Sequence, residues 1–156
     1  MKLEQVPVTG TEKKDNLTAR LKVLSEFYEA LNSRDLGKMA RNWAQTDESV
    51  MDNPVGGIKR GWKEIRSVYE RIFSTSAQYY FEFYDYSLHE AGEIFFVVGR
   101  ERGEFRVGET ILNMAIRTTR LFRMIDGRWQ QVHHHGSIED PDLLNKYQKA
   151  VKDPRG

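Results

Sequence analysis

Leu17, Leu21, Leu24, Tyr28 and Leu31 recur at intervals of four and three, and Val23, Phe27 and Ala30 widen the same stripe. That spacing predicts an amphipathic helix, with Asp15 as its N-cap and Asn32-Ser33 at its end. A short second helix follows Asp35, with Leu36, Met39, Ala40 and Trp43 on its apolar side. Residues 48–57 read as a strand running into a Pro/Gly turn, and 58–60 as a brief return. Trp62, Ile65, Tyr69, Ile72 and Phe73 mark a third helix that stops near 74–76.

Beyond residue 77 the period changes to that of strands, predicted over 79–88, 94–102, 110–125 and 129–138. Gly92, Gly103, Gly108 and Asp126-Gly127 punctuate them, and the last pair is a type I′ hairpin signal. Asp140-Pro141 opens a final amphipathic helix through Leu144, Tyr147 and Val151. Helices followed by an antiparallel meander make an α+β layout. The expected organisation is a loose arm over 1–14, a single domain over 15–138, and a C-terminal helix and tail over 139–156.

Alternation separates the faces of each strand. Leu112, Met114, Ile116, Thr118, Arg120, Phe122 and Met124 share one side, so Arg120 interrupts an apolar face. Ile94, Phe96, Val98 and Arg100 likewise share a side, which places a second arginine at the end of an apolar row. In the last strand Val132, His134, Gly136 and Ile138 group together, and His133 and His135 face the other way with Trp129 and Gln131. Two readings stay open. Arg100 and Arg120 bind an anion in an aromatic-lined pocket beside His134, or each pairs with a core carboxylate or reaches out at the sheet rim. A bulge would shift this parity.

Composition narrows the classes. The chain has 156 residues, 24 Lys and Arg against 23 Asp and Glu, a net charge of +1 and no cysteine. Its length suits one domain. The lack of Cys excludes disulfides, thiolate metal sites and a cysteine nucleophile. Balanced charge speaks against nucleic acid as a partner. No apolar run approaches the roughly 18 residues of a membrane span, and the first fifteen residues lack a signal-peptide core. A soluble cytoplasmic protein is expected. Phosphate-loop, nucleophile-elbow and HExxH motifs are all missing, so no cofactor is expected. Of the three successive histidines only His133 and His135 share a face, and no spacing motif supplies a third ligand, so no metal is expected either.

Thr119-Arg120-Leu121-Phe122 followed by DGRWQQVHHHGS (126–137) resembles the end of the calcium/calmodulin-dependent protein kinase II association domain. YEALNSRDL and MDNPVGG with the helix after them resemble the wider nuclear transport factor 2-like superfamily, which includes ketosteroid isomerases and SnoaL-like cyclases. The resemblance covers about residues 15–138. It implies a cone: a strongly bent antiparallel sheet wrapped around three helices, enclosing a pocket, dimeric through the sheet. It also implies that Arg100 and Arg120 are the pocket arginines. The association domains carry a further arginine where this chain has Gly136, which implies more room near His134. Against the isomerases, the positions of the catalytic Asp and of the Tyr and Asp donors hold Asn53, Phe27 and Thr119, so steroid isomerisation by that route is not expected.

The resulting expectation is a SnoaL-like proton-transfer lyase, isomerase or cyclase acting on an acidic or carbonyl-bearing small molecule. Arg100 and Arg120 hold the substrate, His134 is the acid/base with Asp52 as a second candidate, and Asn53, Tyr28, Trp43, Tyr69 and Phe73 orient or enclose it. The alternative is a carboxylate-binding or subunit-assembly module of the same fold.

Overall fold

The computed structural model describes residues 6–152. Helix α1 (Ala19–Ser33) starts where the Thr18 hydroxyl accepts the Leu21 N–H, so Thr18 is the cap. Asp15 instead lies in a short 3-10 turn, Lys14–Asn16. The helix stops at Arg34 in the left-handed conformation (φ 56°). Asp35 then caps α2 (Leu36–Asn42) by accepting the Lys38 N–H at 2.9 Å. Strands β1 (Val50–Asp52) and β2 (Lys59–Arg60) lead into α3 (Gly61–Ser74).

The long strands are β3 (Gln78–Ala91), β4 (Ile94–Val107), β5 (Thr110–Ile125) and β6 (Arg128–Ser137). They form one six-stranded sheet in the order β2-β1-β6-β5-β4-β3. Every pairing is antiparallel except β1 with β6, where a parallel register sets Met51 beside His134 and Asp52 beside His135. This is the α+β architecture that the hydrophobic pattern predicts. Helix α4 (Pro141–Lys152) is the last described element, capped by the Asp140 carboxylate on the N–H groups of Asp142 and Leu143.

Two apolar clusters fill the inner side of the sheet. One packs α1, α2 and α3 on Phe83, Tyr86, Phe95, Val97 and Phe122. The other packs Leu144, Tyr147 and Ala150 of α4 on Phe81, Phe105, Leu112 and Ile116. Helix α4 thus covers the end of the inner face that the first three helices leave bare. The segment before α1 is not loose where it is described: Val8 is buried and exchanges backbone hydrogen bonds with Phe83 at 2.8 and 2.9 Å.

Two irregularities set which side chains face inward. Asp85 sits at φ 49° in β3 where the β3–β4 register shifts, so Tyr86 joins Phe81 and Phe83 on the inner face. The β5–β6 register shifts at Leu121/Phe122, and Trp129 and Gln131 turn inward together with His134 and Gly136. The strict alternation of β6 predicted Trp129 and Gln131 outward. The extra residue of a bulge resets the parity.

Candidate functional site

Arg120 enters the interior from β5 and is 2% exposed. Its Nη2 lies 2.7 Å from Oε1 of Glu101, its Nη1 donates to Gln131 Oε1 at 2.9 Å, and its Nε donates to the Tyr28 hydroxyl oxygen at 3.3 Å. Tyr28 donates in turn to the same Glu101 oxygen at 2.8 Å. The Gln131 amide donates to Asn42 Oδ1, and Asn42 donates to the Val23 carbonyl, so the chain ends on backbone. The guanidinium carbon stands 3.6 Å from the centre of the Phe27 ring, a cation–π contact out of water. A buried charge that is paired and hydrogen-bonded on each edge is affordable; an unpaired one is not.

These partners also set proton affinities. Burial works against the Arg120 charge, but Tyr28, Glu101 and Tyr69 outweigh it and hold its pKa above the ordinary arginine value. Burial and the Glu101 charge drive the Tyr28 phenol well above its usual range. Burial pushes Tyr69 up to about 12. Both tyrosines are therefore neutral hydrogen-bonding groups near pH 7.

Beside this network is a cavity of about 120 Å³. Arg120 and Glu101 are at its polar end, joined by His134, which is the cross-strand neighbour of Arg120. Phe27, Met51, Val68, Ile72 and Phe105 make apolar walls, and Tyr147 and Val151 of α4 lie across it. His134 is buried, and neither ring nitrogen has a hydrogen-bond partner among the described residues. Burial, with the neighbouring Arg120 charge second, lowers its pKa well below the usual imidazole value. It is a neutral ring with an unused donor and an unused acceptor. Gly136 makes its space: a Cβ there would be 3.2 Å from His134 Nε2 and 3.1 Å from Pro54 Cδ.

The candidate residues named from sequence separate on this geometry. Arg120, His134, Tyr69 and Asn53 all border the cavity. Asn53 also shapes its rim, because its Oδ1 accepts the N–H groups of Val55 and Gly56. Tyr28 and Trp43 are sealed behind the lining, Tyr28 as part of the Arg120 network and Trp43 in the core. Phe73 packs against that core while Ile72 and Thr75 take the cavity side.

Two placements correct the sequence reading. Arg100 is on the outer face, its side chain 46% exposed, reaching Asp85 and Glu139 at 3.3 Å each. Arg100 and Arg120 are therefore not an inward pair. Asp52 also faces out, with Oδ2 3.1 Å from His135 Nδ1, because Met51 takes the inward position in β1. Glu101 and Gln131 are interior polar residues that alternation missed, and Asn42 on α2 joins them. Glu101 had a signal: over the full length of β4, Phe95, Val97, Gly99, Glu101, Gly103, Phe105 and Val107 form the less polar row, and Arg102, Glu104 and Arg106 mark the other as the solvent side.

Comparison with known proteins places this arrangement. The family model described as "SnoaL-like domain" matches residues 21–141. The F-box protein SKIP8 of Arabidopsis thaliana is 24% identical over 133 residues, 85% of this chain and 55% of that protein, so the chain spans about half the length of the curated relative it matches. Among solved structures, a dehydratase candidate of the nuclear transport factor 2-like family from Streptomyces avermitilis superposes with a TM-score of 0.68 at 18% identity, covering 76% of this chain and 93% of that one. The association domain of Caenorhabditis elegans calcium/calmodulin-dependent protein kinase II gives 0.62 at 17%, covering 76% and 92%. At those identities the two structures establish the shared fold alone.

Proposed function

This chain belongs to the SnoaL-like domain family, and from that premise we propose that its cavity serves a proton-transfer enzyme, a lyase or isomerase of small carbonyl-bearing molecules. The observation that carries this reading is His134, a buried imidazole with both nitrogens unengaged among the described residues, beside Arg120 and Glu101 in a largely apolar cavity. A neutral imidazole can take a proton at one nitrogen as it gives one from the other, so the ring need not rest as a buried cation beside Arg120, and this suits removal of hydrogen beside a carbonyl and its return one position away. Arg120 and Tyr69 border the same space, and their donors would favour negative charge on the carbonyl oxygen.

Glu101 changes the substrate class. With its carboxylate on Arg120, a substrate carboxylate would have to displace an internal one, so the polar end suits a neutral carbonyl better than an acid. Exposed Arg71 at the rim has no carboxylate partner among the described residues and would tolerate an acidic group at the outer end. Size is a further limit. A dry cavity of about 150 Å³ accommodates benzene, so about 120 Å³ admits one small ring unless α4 shifts outward.

A general test follows deuterium uptake from D2O into small ketones, cyclic enones and hydroxy ketones by NMR. The wild type should catalyse exchange beside the carbonyl. His134→Phe should lose it by about 10²–10⁴-fold while the protein remains folded by circular dichroism. No exchange with any member of the panel overturns the catalytic reading. A binding or assembly module is the second reading, supported by Val98 and Ile111, which are 43% and 52% exposed on the outer sheet face where a second copy would dock. It expects ligand or subunit association without turnover.

A further inference from the structure

On the outer face of the sheet, opposite the cavity, the parallel β1–β6 register brings Asp52 beside His135. His133 is two residues away on the same side of β6, so three ligand-bearing side chains from two strands converge. One ligand atom from each of Asp52, His133 and His135 lies within 4.8 Å of the other two. We propose that these three residues form a binding site for a divalent first-row transition metal, with a coordination position left open to solvent.

Three details distinguish this cluster from a solvated surface group. Nδ1 of His133 is 2.9 Å from the Val50 carbonyl oxygen. A carbonyl only accepts, so the neutral ring carries its proton on Nδ1 and keeps the Nε2 lone pair free. That is the supporting hydrogen bond by which metal-binding histidines are commonly held in the correct tautomer. Asp52 Oδ1 is buried from solvent without a hydrogen-bond partner among the described residues, while Oδ2 meets His135. An acceptor shut off from water costs stability unless something satisfies it, and a cation does so directly. Finally, His135 is the most exposed of the three and has room to move. Ligand atoms about 2.0–2.1 Å from a tetrahedral ion are roughly 3.3 Å apart, so a modest rotation of His135 and Asp52 tightens the set around an ion.

Two imidazoles with one carboxylate favour zinc, iron, cobalt or nickel over the oxygen-loving calcium and magnesium. Each strand contributes through its own backbone register, so little of the site depends on loop conformation. The inference is independent of the cavity chemistry, because His134 between the two ligands projects through the opposite face.

The test is titration of the chelator-treated full chain with Zn2+ by calorimetry, and with Co2+ by visible absorption, which reports coordination geometry. One equivalent per chain is expected, with a rise in melting temperature. Asp52→Asn and His135→Gln should each weaken binding about tenfold or more, while His89→Gln, an outer-face histidine paired with Ser87, should leave it unchanged. No saturable binding up to millimolar Zn2+ overturns the proposal, as does equal affinity in the wild type and both site variants. Circular dichroism separates a lost site from a lost fold, and Co2+ absorption typical of imidazole and carboxylate donors in His89→Gln but not in Asp52→Asn supports the site directly.

Discussion

The Arg120 guanidinium on β5 and the Glu101 carboxylate on β4 meet at 2.7 Å with side chains 2% and 6% exposed. Each is the reason the other can be inside. Removing one partner leaves a charge buried and uncompensated, at a cost of about 3–5 kcal/mol. Arg120→Met and Glu101→Leu should each destabilise by about that much in chemical denaturation. The double variant should lose less than the sum, because it strands neither charge. Full additivity would mean that the pair is not coupled.

Asn32 ties three segments together where the sequence shows only the end of an apolar stripe. Its amide nitrogen donates to the carbonyls of Thr9 and Phe81, at 3.1 and 2.8 Å, and its oxygen accepts the Phe81 N–H at 2.8 Å. Asn32→Ala leaves those backbone groups without that partner, so a loss of about 1–3 kcal/mol is expected. Amide hydrogen exchange should be faster at Phe81, with little change in β5. Unchanged exchange at Phe81 would remove this role.

Much of the fold is legible because the long strands carry unambiguous markers. β5 is sixteen residues long and pairs with β4 from Thr110 to Arg123 without a register shift, so simple alternation puts Thr118, Arg120 and Phe122 inside. The same method fails for β4 when only 94–100 is weighed, since Phe96 and Val98 are apolar on the outer face. It fails for β6 because the bulge opposite Leu121/Phe122 depends on pairing rather than on hydrophobic pattern. The third residue of the histidine cluster is hidden for a related reason. Asp52 and His135 are more than eighty residues apart, and only the parallel β1–β6 register makes them neighbours.

Glu12 gives the chain a dependence on acid. Burial would raise its pKa, but the hydroxyls of Thr9 and Ser25 and the N–H groups of Thr9 and Gly10 together lower it below the ordinary 4.5. A carboxyl with a depressed folded-state pKa adds stability above its unfolded value, and that contribution disappears as pH falls through the folded value. The loss therefore lies below about pH 4.5. Unfolding free energies from roughly pH 5 to 3 should fall less steeply for Glu12→Gln than for the wild type. Parallel slopes would show that Glu12 makes no contribution there.

Gly136 tests whether the space around His134 matters. No positive φ is involved, so an added methyl group acts through contacts alone. Those contacts are 3.1 Å to Pro54 Cδ and 3.2 Å to His134 Nε2, tighter than ordinary packing, and the His134 ring belongs to the cavity wall. The Pro54 side is held by the Asn53 turn, whose Oδ1 accepts two backbone N–H groups, so the imidazole is the softer neighbour. Gly136→Ala should therefore rotate His134 into the cavity at a cost of about 1–3 kcal/mol, the usual range for overpacking. His134 ring resonances should shift in NMR, and deuterium exchange into carbonyl compounds should fall although no catalytic group has been removed. Unmoved ring resonances together with wild-type exchange would show that the turn yields instead, and that His134 does not depend on a glycine at 136.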